Sequence, residues 1–435
     1  MNVLGIDIGT TSICVILYQM EKKEVLFNRS IQNAFLEQGG FRQDADAIVG
    51  KVRKLLKEMD GLTFDAVGIS SQMHGIVYVG ADGKAVTPLY TWKEECGKLP
   101  FRNRESYEEA LSRLTGYTVY SGYGSVTHFY LQKTGQIPAE AAGFVDIGDY
   151  LAMRLTGSVR RAVNASLAAS FGVFDLNQGA FDLPALERAG ADTGFYPEIC
   201  RWEEPVGFYE GKPVLPAVGD NQASFLGAVS DPKTGISVNV GTGSQVSVYA
   251  ESLWTKPGEN GVDVRPFPGG GYLYVGASLN GGKVYERLAA FFREAVSQLS
   301  GISPDMDRIY EWMYGTAQTR ETTDLRVCPG LYGARGSRKG EASGIWGLTD
   351  ENFHPADLIR SWVEGMAQEL CGLYKAFPEE VRAGRQGLTA SGNGLRRNPL
   401  LCGEVQKAFG LPLTFSENRE EAAAGAAIFA GRSCA

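Results

Sequence analysis

No run of apolar residues in the 435-residue chain is long enough to span a bilayer, so membrane helices are excluded from the reading. The seven cysteines (14, 96, 200, 328, 371, 402 and 434) form no CxxC and no paired spacing. That removes zinc-ribbon and dithiol-redox readings and leaves reduced thiols, as expected in the cytoplasm. Basic residues are outnumbered, with 42 Lys and Arg against 50 Asp and Glu and a formal net charge of −8. A duplex nucleic acid needs clustered cations on its phosphates, so no nucleic-acid partner is expected. Histidine is scarce, at three residues. The first residues, Met1 to Asp7, already read as a strand, so no signal peptide is expected. The composition is otherwise that of an ordinary globular protein, and the length suits two or three domains.

Glycine is plentiful, at 55 residues dispersed along the chain, and two clusters stand out. Ile236 to Val240 alternates apolar with small polar residues. A tight Gly241-Thr242-Gly243 turn follows, then a second strand from Gln245 to Tyr249. The same design opens the chain: strand Leu4 to Ile8, turn Gly9-Thr10-Thr11-Ser12, returning strand Ile13 to Tyr18. Glycine lets a ligand approach the backbone, and successive free amides at such turns form a concave anion site. Two such hairpins half a chain apart predict an internal duplication of α/β domains, each offering a phosphate-binding turn. The boundary is placed at the turn-rich connector 225–235, giving domains 1–228 and 229–435.

Other candidates follow from strand ends, where ligands gather in open α/β sheets. Asp7, beside the first turn, is a carboxylate suited to Mg²⁺ whose remaining ligands are water and phosphate. Strand 66–70 runs into Ser71-Gln72-Met73-His74-Gly75, which places Gln72 and His74 to hydrogen-bond a polyol. Trp92 offers a face for sugar C–H groups, with Glu94 beside it. Asp220, between Gly219 and Asn221, opens a helical run from Gln222 to Val229. Amphipathic helices are expected at 45–59 and 358–377, with further helices at 283–299, 399–409 and 419–431. The segment 320–339 is locally basic, with Arg326, Arg335, Arg338 and Lys339.

Taken in order, DIGTTS (7–12), SQMHG (71–75), Tyr-Thr-Trp (90–92), GDNQASFLGA (219–228), NVGTGSQ (239–245), GASLNGG (276–282), GIWGLT (344–349), Asp357 to Glu364 and SGNG with Asn398 span nearly the whole chain. They resemble the FGGY carbohydrate kinases of the actin/Hsp70/sugar-kinase superfamily. Trp362 departs from that pattern. So does Trp92-Lys93-Glu94, which stands where relatives carry Trp-x-Asp with a following Arg. GASLNGG and Gly333-Ala334-Arg335 with Lys339-Gly340 are most similar to sedoheptulokinases.

The resemblance implies two RNase H-like (actin-like ATPase) α/β domains with an interdomain active-site cleft, and transfer of phosphate from ATP to a ketose, sedoheptulose first. Phosphates would lie on Thr10, Thr11, Gly241, Thr242 and Gly243. Adenosine would rest on Gly281, Gly392, Asn393 and Asn398, with Mg²⁺ at Asp7. The sugar would meet Gln72, Met73, His74, Trp92, Glu94 and Asn221, with Asp220 as general base. Two alternatives are carried: a kinase for xylulose or another ketose or polyol, and a nucleotide-gated non-catalytic module of the actin/Hsp70 type. The partner expected is a small-molecule sugar, and the oligomeric state is open to a homodimer.

Overall fold

The computed structural model describes the chain except residues 37–39, 103, 256–260, 334–342 and 435. It forms two compact units. Unit 1 comprises residues 1–228, 265–271 and 418–435; unit 2 comprises 229–264 and 272–417.

Unit 1 is built on a mixed sheet. Strand β1 (Asn2–Ile8) pairs antiparallel with β2 (Ser12–Gln19), and β2 with β3 (Glu24–Gln32). On its other side β1 pairs in parallel with β4 (Ala66–Ser71), and β4 in parallel with β5 (Val218–Gly219). Helix α1 (Ala45–Lys57) starts where Asp44 accepts from the amide of Ala47, and ends with Lys54 and Lys57 on its negative pole. Helix α2 (Ile147–Thr156) is capped by Asp146, and α3 (Asp220–Ala228) follows β5. Val3, Leu4, Ile6 and Ile8 of β1 are all fully buried. No alternation survives in that strand because both faces of the sheet are covered.

Unit 2 repeats the plan. Strand β6 (Gly235–Val240) pairs antiparallel with β7 (Ser244–Ala250), and β7 with β8 (Tyr272–Ser278). Strand β6 also pairs in parallel with β9 (Gly387–Ser391), and β9 with β10 (Leu413–Phe415). Its helices include α4 (Gly282–Ser300), α5 (Pro355–Lys375) and α6 (Pro399–Phe409). These five strands match β1 to β5 of unit 1 in order and direction, as the paired hairpins predicted.

The last helix, α7 (Glu421–Ser433), follows β10 as α3 follows β5, yet it packs within unit 1. This helix and residues 265–271, which fall in the expected domain 229–435, group with unit 1. The cause is side-chain size. Helix α7 is rich in alanine and buries Ala423, Ala424, Ala426 and Ala427. A Cβ at Gly68 of β4 would stand 2.0 Å from the carbonyl oxygen of Ala426, and one at Gly425 would stand 1.8 Å from that of Ala223 in α3. Glycine at these positions lets α7 lie with its backbone against both the sheet and α3. Arg335, Arg338, Lys339 and Gly340 lie outside the described residues, whereas Arg320 pairs with the buried Asp357 at 3.3 Å.

Gly425→Val should lower the denaturation midpoint and cost about 1–3 kcal/mol, because α7 must lift from α3. Gly403→Ala, in α6 with open space around it, should be neutral or slightly stabilising. Urea unfolding of the two variants checks the contrast; equal midpoints would remove the close approach as a constraint.

Candidate active site

The parallel register decides what meets at the sheet edge. Ile8 of β1 is opposite Ser71 of β4, and Ser71 is opposite Gly219 of β5. The residues that follow each strand therefore emerge side by side: Gly9-Thr10-Thr11, Gln72-Met73-His74 and Asp220-Asn221. This is the carboxyl edge of the parallel strands, where ligands of open α/β sheets collect.

Asp220 begins α3, a position that favours a carboxylate, and the amide of Gly219 donates to Ser166 Oγ at 3.2 Å, fixing the bend before it. The residue is partly exposed, yet the protein packed around its carboxyl raises its pKa from 3.8 to about 6. The Arg265 guanidinium and the Asn221 amide oppose that rise. Asn221 Oδ1 is buried, and no group donates to it among the described residues. A buried acceptor left open beside a carboxylate has the character of a ligand contact.

Asp7 takes a hydrogen bond from Ser70 Oγ. Desolvation pushes its pKa up to about 7, with the charges of Asp220 and Glu420 adding to the rise. Among the described residues no three His, Cys, Asp or Glu side chains group as a metal site. A single carboxylate in an electronegative corner nevertheless suits Mg²⁺, which keeps water and phosphate as its other ligands.

Two of the sugar-side candidates, Trp92 and Gln72, are tied into one network. Trp92 Nε1 donates to Thr10 Oγ1 at 2.9 Å, and Thr10 Oγ1 donates to Gln72 Oε1 at 3.1 Å. Gln72 Nε2 donates to Gln43 Oε1 at 2.8 Å, and Gln43 Nε2 closes the ring on the Thr10 carbonyl at 2.8 Å. Gln43 is fully buried on a two-residue strand, Arg42–Gln43, that pairs with Leu89–Tyr90 just before Trp92. His74 sits at φ 74°, its Nδ1 2.7 Å from the Ser170 carbonyl and its ring stacked on Tyr123 at 4.4 Å. Nδ1 then carries the proton and Nε2 is the ring's acceptor. By contrast His128 is wholly buried, bonded to Tyr78, and held neutral with its pKa down to about 4.

Glu94 is held by its neighbours. Its Oε2 accepts from Arg42 Nε at 3.1 Å, and its Oε1 from the amides of Glu95 and Cys96 at 3.2 and 3.3 Å. Oε2 is thus paired with Arg42 and Oε1 with the loop that follows Glu94. Gln43, Arg42 and Arg265 are the residues that sequence reasoning passed over; no local motif marks them.

In unit 2 the Gly241–Gly243 turn is held by Gly241 N to the Gly243 carbonyl at 2.9 Å and Gly282 N to the Gly241 carbonyl at 2.8 Å. A Cβ at Gly281 would fall 2.1 Å from the Gly243 carbonyl oxygen, and one at Gly392 (φ 81°) would fall 2.5 Å from that of Val240. The turn, the start of α4 and the end of β9 thus meet backbone to backbone, leaving a surface that only small groups form. Thr11 and Thr242 are exposed. Asn393 opens a short helical turn, and Asn398 Oδ1 caps α6 by accepting from Leu401 N at 3.0 Å.

Comparisons with known proteins agree along the whole chain. Residues 2–227 match the model of the N-terminal domain of the FGGY family of carbohydrate kinases, and residues 239–434 match that of its C-terminal domain. A sedoheptulokinase of Mus musculus is 27% identical over 471 aligned positions, covering 98% of this chain and 96% of that protein. The xylulose kinase of Rhodospirillum rubrum superposes with a TM-score of 0.82 at 18% identity, covering 100% of this chain and 91% of that one. A Plasmodium falciparum glycerol kinase solved with ADP gives 0.79 at 17% identity, covering 100% and 89%. Among the described residues no helix is long and apolar enough to cross a membrane. With both family domains matched in order and the duplicated α/β plan beneath them, the chain belongs to the FGGY family of carbohydrate kinases and is a sugar phosphotransferase.

Proposed function

We propose that the protein transfers the γ-phosphate of ATP to a hydroxyl of a ketose, sedoheptulose being the first candidate. The observation that carries this reading is the aligned strand ends Ile8, Ser71 and Gly219, which bring a phosphate-type turn, a polar loop and Asp220 to one edge. The similarity to the mouse sedoheptulokinase supports the choice of sugar. The fold shared with a xylulose kinase keeps a five-carbon ketose as the second reading.

In this reading Gln72, His74, Trp92 and Asn221 take the sugar, with Met73 closing the apolar side. Glu94, committed to Arg42, supports the loop and is not assigned to the sugar. The amides after Gly9 and Thr11 in unit 1, and Gly241, Thr242 and Gly243 in unit 2, take phosphate oxygens. Thr10, whose hydroxyl serves Trp92 and Gln72, links the two groups. Gly281, Gly392, Asn393 and Asn398 take adenosine, in line with the ADP-bound glycerol kinase that shares the fold. Asp7 would hold Mg²⁺, which neutralises charge on the phosphoryl group.

Asp220 accepts the proton of the attacking hydroxyl. A pKa near 6 makes it a stronger base than an exposed aspartate, and it is still about nine-tenths ionised at pH 7. It need not form an alkoxide in advance. The transition state of phosphoryl transfer is loose, so the proton moves late, as the new O–P bond forms. Alignment of donor and acceptor and the charge around the phosphate supply the remainder.

Coupled detection of ADP across a panel of ketoses, aldoses and polyols should give the highest kcat/KM with sedoheptulose; ADP release indifferent to every sugar would refute the kinase reading. Asp220→Asn should lower kcat roughly 10²–10⁴-fold with ATP binding retained. Because the carboxylate is the working form and its pKa is raised, kcat/KM should fall as pH drops through about 6 rather than near 4. Gln43→Leu strands the Thr10 carbonyl and Gln72 Nε2. It should raise the sugar KM about 10-fold, as loss of a buried hydrogen bond or two implies; an unchanged KM would show that the ring plays no part in holding Gln72.

A further inference from the structure

Arg265 lies in the proline- and glycine-rich stretch between β7 and β8, where the sequence shows no motif. Its segment, 265–271, nevertheless belongs to unit 1. Two contacts clamp it to α3 just beyond Asp220. The Pro266 carbonyl accepts from Gln222 Nε2 at 3.2 Å, and the buried Phe267 ring packs edge-on against Phe225 at 5.7 Å. Clamped there, Arg265 points its guanidinium into the edge already described. Nη1 reaches Met73 Sδ at 3.5 Å, and the group is close enough to Asp220 to act on its charge. Met73 lies between Gln72 and His74, so the cation stands among the sugar-side candidates and beside the base.

Resting on the kinase reading, we propose that Arg265 is a substrate-contacting, specificity-determining residue: its guanidinium donates to sugar oxygens next to the hydroxyl that attacks phosphorus. The chemistry fits that task. The contact with Met73 Sδ engages one N–H of a guanidinium that carries five. The planar fork presents parallel N–H donors, which suit two oxygens on adjacent carbons of a polyhydroxylated chain. Arg265 thereby selects acceptors that carry an oxygen beside the reacting carbon over deoxy analogues that lack it. It also keeps a positive charge where a sugar oxygen replaces water around Asp220.

The test uses the full-length enzyme and the sugar with the highest wild-type kcat/KM. ADP release by wild type comes first. If no sugar elicits it, the kinase reading falls and this proposal with it. If a sugar does, Arg265→Gln should raise the sugar KM roughly 10–100-fold, as loss of charged hydrogen bonds implies, with the ATP KM changed less than about 2-fold. Arg265→Lys should recover part of that loss. The wild-type preference for the sugar over its analogue deoxygenated beside the reacting carbon should shrink toward unity in Arg265→Gln. A fall in kcat with an unchanged sugar KM and intact preference would overturn the proposal, leaving Arg265 to act only through Asp220. An equal rise in both KM values, or a lowered melting temperature with the preference retained, would overturn it in favour of a structural role.

Discussion

Parallel pairing of β1, β4 and β5 is the constraint on which the rest depends. Pairing in parallel aligns the carboxyl ends of three strands that are distant in sequence, and the register sets Ile8, Ser71 and Gly219 in one row. Slipping one strand by a single residue would turn its side chains to the opposite face and carry its following loop out of line. The buried polar contacts beneath the edge resist such a slip. Ser71 Oγ donates to Asp146 Oδ1 at 2.8 Å, and the Ala217 amide to Asp149 Oδ1 at 3.3 Å, tying the end of β4 and the entry to β5 to the start of α2. Burial beside Asp146 raises the pKa of Asp149 well above the ordinary range.

Small side chains then bring helices onto this sheet at close range. Alanine on α7 and glycine at 5, 68 and 227 allow backbone to meet backbone, with Gly425 crossing α3. A helix so close covers apolar strands with little side-chain entropy to lose. It also stiffens α3, whose first residue is Asp220. Functional precision at the edge thus rests on packing that carries no chemistry of its own.

Much of this was legible in the sequence, and the limits have physical causes. The two hairpins were readable because Gly-Thr-Gly turns and strand alternation are local signals, and their likeness predicted matching sheets. Gln72, His74 and Asp220 were readable because each follows an apolar run closed by small residues. The placement of α7 was not readable. An alanine-rich helix has little amphipathic contrast, so its sequence does not say which sheet it covers. Gln43 and Arg265 were hidden for another reason: each earns its place through partners far along the chain, in loops without periodicity. Glu94 shows the reverse case, a motif position whose side chain, one methylene longer, turns back to Arg42 and its own loop.

Hydrogen–deuterium exchange with the phosphorylatable sugar alone, without nucleotide, tests the central claim most directly. The account predicts slowed exchange together in residues 9–12, 72–75 and 219–222, the three segments that leave the aligned strand ends. Protection confined to other segments, or to one of the three with the others unchanged, would contradict a single acceptor site built on that edge.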